Sequence, residues 1–313
     1  MKKEILEVQI TMQFEKNEKN IKSDIANSIT RSMNAAFSKS RFGNPQEPDF
    51  VAELVNGLPQ DIYNSLKTYA PHYQYAVSGI FCHQKPLANY GGAKNPELGD
   101  ILLVYIEENR HSVKKCNALL MQAKKVNKVP YTVPYGETHQ LKLYEEWPKF
   151  KLERAGVLNG KEIDIQPKTL NTGAQYLLFK SPYKKESKVC CAYPDKELFL
   201  EKKLSDQIID LMKFFTGRTF LYEEDSTCND DWTKLIWDLI RISGVSTYNR
   251  RAIGKVNEPR RITHGDISMF DEMNRKLNIG EDAFAEEAVS CLIIYAKETK
   301  EEFHQYEQLC MNY

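Results

Sequence analysis

Apolar residues recur along this chain with two different periods. Ile21, Ile25, Ile29, Met33 and Phe37 are spaced by four, which predicts a helix over 21–38 with one apolar stripe. Phe50, Leu54 and Leu58 repeat the spacing and predict a second helix, or pair of helices, over 49–69, with Asp49 as its N-cap. Residues 3–14 partly alternate and read as a strand. Tyr75–Cys82 reads as the first core strand, and 173–180 as a later one. Leu204, Ile208, Leu211 and Phe215 predict a long helix over 198–215, ended by Gly217. The stretch 181–193 reads as basic and irregular, and 243–265 as a long basic loop. Asp230, Asp231 and Trp232 open another helix. Residues 284–297 read as a helix running into the apolar run Val289–Tyr295, which has strand character.

The most informative stretch is 99–125. Ile101–Ile106 and Ala118–Met121 are apolar runs of strand length, joined by a polar connector over 108–116. The simple reading is an antiparallel hairpin folded about His111, with Asp100 beside Gln122. Side chains alternate along a strand, so Gln122 and Lys124 share a face. A carboxylate, an amide and an ammonium then meet at one end of an otherwise apolar hairpin. The loop 86–99 leads into Asp100 and would form one wall of a cleft. The bland alternative is a plain hairpin with solvated polar ends.

This pattern resembles the PD-(D/E)xK nuclease superfamily, in which an Asp opens one core strand and an acid or Gln, two residues before a Lys, closes the next. The Gln122-Ala123-Lys124 form resembles its Mrr-like branch. Gln140, Tyr144 and Trp147 fall at i, i+4 and i+7 on a predicted helix directly after that strand. Gln140-Leu141-x-x-Tyr144 resembles the fourth motif of RecB-like nucleases. The likeness covers roughly 50–180. It implies an α/β fold with a restriction-endonuclease-like mixed central sheet flanked by helices. The expected domains are a nuclease-like unit over 1–225, with an N-terminal strand-helix addition, and a mostly helical C-terminal extension over 226–313.

The resemblance also implies the chemistry. Mg²⁺ (or Mn²⁺) would be held by Asp100, the Gln122 amide oxygen and the Ala123 carbonyl. Lys124 would orient water or balance charge at phosphorus, and Gln140 and Tyr144 would position the phosphate or support Lys124. Gln122 is neutral where many relatives carry an acid. A further acid would complete the site: Glu53 on the preceding helix is the candidate, against its reading as an ordinary surface glutamate. His72 and His83 are rivals for that place. The implied function is DNA phosphodiester hydrolysis by an effector of a prokaryotic restriction or anti-phage defence system. The alternative is a non-cutting nuclease-fold subunit that binds nucleic acid or assembles a defence complex. Either leaves room for a regulatory protein subunit and for a homo-oligomer.

Composition narrows the picture slightly. Lys plus Arg and Asp plus Glu are 43 each, so the chain is not coated in positive charge. Charge is nevertheless segregated: Arg110, Lys114, Lys115, Lys124, Lys125 and Lys128 occur without an acid between them. Tyr131 and Tyr135 follow in a Pro-punctuated loop, where packing is expected over stacking on bases. The seven cysteines show no C-x-x-C spacing, which argues against a structural zinc and for reduced thiols. No apolar run approaches the roughly 20 residues of a membrane span, and the N-terminus has no secretory core segment, so a cytoplasmic protein without a membrane partner is expected.

Overall fold

The computed structural model describes residues 2–40, 43–82, 85–168, 173–180, 189–222, 230–243, 261–276 and 288–299, side chains excepted over 2–15 and at a few positions near 261–276. It is an α/β protein with a large mixed sheet flanked by helices. The chain begins with α1 (Lys2–Lys39) and α2 (Glu47–Tyr69). The strand expected over 3–14 is instead the first part of α1. Its Glu, Lys, Gln and Leu residues are good helix formers, and the helix already nucleated by the stripe at 21–37 propagates back through them.

α2 starts two residues earlier than expected. Gln46 is the N-cap, and Asp49 at N3 accepts the Gln46 N–H at 2.7 Å. Phe50, Leu54 and Leu58 are fully buried, each contributing roughly 1.5–3 kcal/mol. α2 lies very close to β1 (Tyr73–Ile80) because of Gly79, where a Cβ would come 1.7 Å from the Val55 carbonyl oxygen.

The loop after β1 carries β2 (Leu87–Asn89). Next comes the expected hairpin, β3 (Ile101–Glu108) and β4 (Lys114–Val126), antiparallel with Ile101 opposite Met121. After β5 (Tyr131–Thr132), α3 (Thr138–Glu146) leads through β6 (Phe150–Glu153) and β7 (Glu162–Ile163) to β8 (Ala174–Lys180). β8 lies parallel to β4, so α3 sits in the crossover between them, as expected. Trp147 caps α3 in the left-handed conformation and packs on Tyr144 and Trp232.

The later elements depart more from expectation. β9 (Val189–Ala192) pairs with β8 in part of the stretch read as irregular; 181–188 lie outside the described residues. The long helix over 198–215 is split. Its first third forms β10 (Glu197–Leu198) and β11 (Lys202–Lys203), and only α4 (Leu204–Met212) is helical. Leu204, Ile208 and Leu211 are buried, but Phe215 lies beyond the helix and is 73% exposed. β12 (Arg218–Phe220) adds to β4. α5 (Asp231–Ser243) is capped by Asp230, whose carboxylate accepts the Trp232 and Thr233 N–H groups.

The segment after 225 is not an appendage to a finished sheet. β13 (Arg261–Gly265), inside the stretch read as a loop, pairs with β1, and α6 (Ser268–Lys276) follows it. β14 (Ser290–Glu298) is a strand wedged between β3, to which it is parallel, and β1, to which it is antiparallel. Residues 244–260 and 284–287 lie outside the described residues. The order of the main sheet is β11-β9-β8-β4-β3-β14-β1-β13.

Two cores flank the sheet. One lies under α1, α2 and α4 and takes Ile101, Leu103, Leu119 and Met121. The other lies under α3 and α5 and takes Leu102, Val104, Ala118 and Leu120. Cys82, Cys116, Cys190, Cys191 and Cys291 are buried. Among the described residues no helix is long and apolar enough to cross a membrane.

Candidate functional site

The alternation that fills the two cores also fixes the polar residues. Asp100 precedes Ile101, and Gln122 and Lys124 flank Ala123, so all three belong to the α3 face. The ladder ends at Ile101 opposite Met121; Asp100 N–H donates to the Met121 carbonyl at 2.8 Å, one residue off that register, which keeps Asp100 beside the start of the Gln122–Lys124 stretch. Gln122 Nε2 and the Ala123 N–H (2.8 Å) both donate to Asp100 Oδ2. N–H and C=O of one strand residue point to the same side, so the Ala123 carbonyl also faces the Asp100 edge.

Asp100 is 5% exposed. Burial raises its pKa from 3.8 to about 6. Lys85 and the Ala123 N–H oppose that rise, while Glu97 and Glu47 add to it. Lys85 is itself buried. Its Nζ donates to the carbonyls of Cys82 (2.7 Å) and Asp100 (3.2 Å) and to Ser290 Oγ (3.2 Å), tying the ends of β1, β3 and β14 together.

α3 closes the site from above. Tyr144 is fully buried, and its hydroxyl donates to the Leu98 carbonyl at 3.0 Å. Gly99 makes room for this: a Cβ there would stand 3.1 Å from the Tyr144 hydroxyl and 2.8 Å from Leu120 Cδ1. Tyr144 therefore holds the backbone that delivers Asp100. Gln140, one turn earlier, is buried with no hydrogen bond on Nε2. Tyr176 stands beside Gln122 on β8, and its hydroxyl is equally unpartnered, as is Gln122 Oε1. Each of these three buried polar atoms lacks a hydrogen-bond partner, which buried groups rarely do. The 86–99 loop docks on α3 through Tyr90, whose hydroxyl donates to the His139 carbonyl. Glu153 on β6 holds the loop through Asn89 and Asn95.

Lys124 is not directed at Asp100. Its Nζ pairs with Glu137 at 2.9 Å, and this partner outweighs burial to hold its pKa above the ordinary lysine value. The basic run over 110–128 is divided between the two ends of the 13-residue strand β4. Arg110, Lys114 and Lys115 lie at the hairpin turn, roughly 40 Å from the far end of the strand. Lys125 is anchored on Asn44 Oδ1 and the Pro45 carbonyl.

Glu53 is on the other side of the sheet, on α2, paired with Lys39 at 2.9 Å. His72 precedes β1 at the end opposite Asp100, and His83 lies outside the described residues. The acids that act on Asp100 are Glu47, whose Oε1 accepts the Lys125 N–H at 2.8 Å, and Glu97. Sequence reading passed over Glu47 because it placed the cap of α2 at Asp49; the capping-box pair Gln46/Asp49 would have put Glu47 in the first turn. Glu97 needed only the step of three residues back from Asp100. Lys85, Glu137 and Tyr176 left no signal, because each reaches the site through tertiary contacts.

Among the described residues no group of three or more His, Cys, Asp or Glu is placed to hold a metal. At the hairpin edge Asp100, Gln122 Oε1 and the Ala123 carbonyl are oxygens that a hard cation could use. An unpartnered buried Gln122 Oε1, on an amide already bonded to the Asp100 carboxylate, fits that use. Comparison with protein-family models, curated proteins and solved structures found no match.

Proposed function

We propose that this protein is a metal-dependent nuclease that hydrolyses DNA phosphodiester bonds. The observation that carries the reading is the Asp100–Gln122 pair across the hairpin: a buried carboxylate without a basic side chain in ion-pair contact, bonded to an amide at the position where the motif has an acid or a Gln. Buried carboxylates with perturbed pKa values and no cation in contact concentrate where chemistry is done. A role in prokaryotic restriction or anti-phage defence rests on the family resemblance alone.

In this reading Asp100, Gln122 and the Ala123 carbonyl hold Mg²⁺ or Mn²⁺, which when bound supplies charge neutralisation at the phosphate. The chain's own groups do the rest. Tyr144 fixes the backbone ahead of Asp100 through Leu98. Gln140 and Tyr176, the latter beside Gln122 on β8, have unpaired donors that would suit a phosphate oxygen or a water. Lys124 stays an ammonium at neutral pH, so its contribution is electrostatic rather than that of a base.

The test is cleavage of plasmid and linear DNA with Mg²⁺ or Mn²⁺ by wild type, Asp100→Ala and Lys124→Ala. The expected result is metal-dependent cutting that falls at least about 100-fold in both variants, with circular dichroism unchanged. Bound but uncut DNA in every case would replace the reading by that of a non-cutting subunit. Equal cutting by all three proteins would remove its basis.

A further inference from the structure

The turn between β5 and α3 joins two features that the preceding reading leaves unused. Tyr135 is 94% exposed, although a large aromatic ring is normally covered. The expectation that it packs is therefore not met. Two residues on, Glu137 holds Lys124, the ammonium that the site needs, and Tyr131 lies against the same carboxylate. The turn itself is slight: a 3₁₀ segment (Tyr135–Glu137) with no buried residue, closed by the Glu137 N–H on the Pro134 carbonyl. Glu137 is the N-cap of α3 yet its side chain makes no capping bond, so moving it leaves the helix start as it was.

Resting on the nuclease reading, we infer that this turn is a latch displaced by single-stranded nucleic acid: a base stacks on the Tyr135 ring while its phosphate takes Lys124 from Glu137. A ring on an exposed turn stacks on an unpaired base, whose face is open, and not on one enclosed in a duplex. An anionic phosphate competes with a carboxylate for one ammonium on equal electrostatic terms; the Glu137 side chain is about a third exposed, but the oxygen that meets Lys124 is covered, so the turn has to move for the exchange to occur. The neighbouring strand brings further rings beside the turn, with Lys196 set between the exposed acids Asp195 and Glu197. β10 runs beside β5, with the Val133 N–H on the Lys196 carbonyl at 2.9 Å. That neighbour adds the exposed rings of Tyr193 and Phe199 and the exposed Lys196.

The test is fluorescence anisotropy with a labelled single-stranded oligonucleotide and with the corresponding duplex, without divalent metal so that neither is cut. Tyr135→Ala should weaken single-strand binding about ten-fold and leave duplex binding unchanged. Glu137→Gln should tighten single-strand binding several-fold and steepen its salt dependence by about one phosphate contact. Phe215→Ala, an exposed ring beyond α4, should change nothing. Weaker or unchanged binding in Glu137→Gln overturns the latch, since Glu137 would then be positioning Lys124. Equal losses on both nucleic acids in Tyr135→Ala overturn the stacking role. A wild type that binds only duplex overturns this inference and spares the nuclease reading, whereas one that binds neither overturns both.

Discussion

Glu53 and Asp100 are carboxylates buried against opposite faces of one sheet, and the fold treats them differently. Glu53 meets Lys39. Glu108 and Asp238, the other buried carboxylates among the described residues, are also met: Glu108 by Lys114 and Lys297, Asp238 by Lys161 and Arg241. Asp100 alone of the four has no basic side chain in ion-pair contact. Its nearest cation, Lys85, spends its hydrogen bonds on backbone carbonyls and Ser290, one of them the carbonyl of Asp100 itself. Three buried acids are thus met by cations, while the fourth is met by two neutral donors, the Gln122 amide and the Ala123 N–H, which offset its desolvation less than a charge would.

The contrast can be broken at three points. The largest effect belongs to Asp238→Ala, which strands two cations against a buried site; a loss of about 3–5 kcal/mol in urea unfolding is expected. A loss near zero would mean that pairing is not what fixes these acids. Asp100→Asn should act in the opposite direction. The native carboxyl has a pKa of about 6 against the ordinary 3.8, so the folded state binds the proton more tightly than the unfolded one. Its stabilising contribution is full below about 4 and is lost as pH rises through about 6. Removing the charge should therefore raise stability at pH 7 by on the order of 2–3 kcal/mol and flatten the pH dependence of unfolding between 4 and 6. If the variant is destabilised at pH 7, Asp100 belongs with the structural acids. The smallest effect is that of Glu53→Gln. Lys39 is half exposed, so losing the pair should cost below about 1 kcal/mol and leave DNA cleavage untouched. Loss of cleavage would return Glu53 to the site.

How legible these features were in the sequence follows from how local their causes are. The hairpin register could be read directly, because two apolar runs flank one polar connector and a one-residue slip would turn both cores inside out. The α3 face carrying Gln140 and Tyr144 was equally plain from its spacing. β14 could not be placed, since parallel pairing with β3 spans nearly 190 residues and leaves no local trace. Residues 3–14 misled because their partial alternation was a weaker influence than continuity with an established helix. In the site, the motif residues were recoverable, but their present partners were not: nothing near Lys124 in sequence announces Glu137, and nothing near Asp100 announces Lys85.

The wedge formed by β14 has a consequence for how the protein comes into being. Until residue 298 has left the ribosome, β1 and β3 have a vacancy between them, and Ser290 is not there to fix Lys85 beside Asp100. A nascent chain thus carries the motif for most of its synthesis without the sheet that organises it. Pairings this distant also form late and slowly once the chain is free. The buried arrangement around Asp100 is in this way withheld from every copy whose β14 has not yet been made.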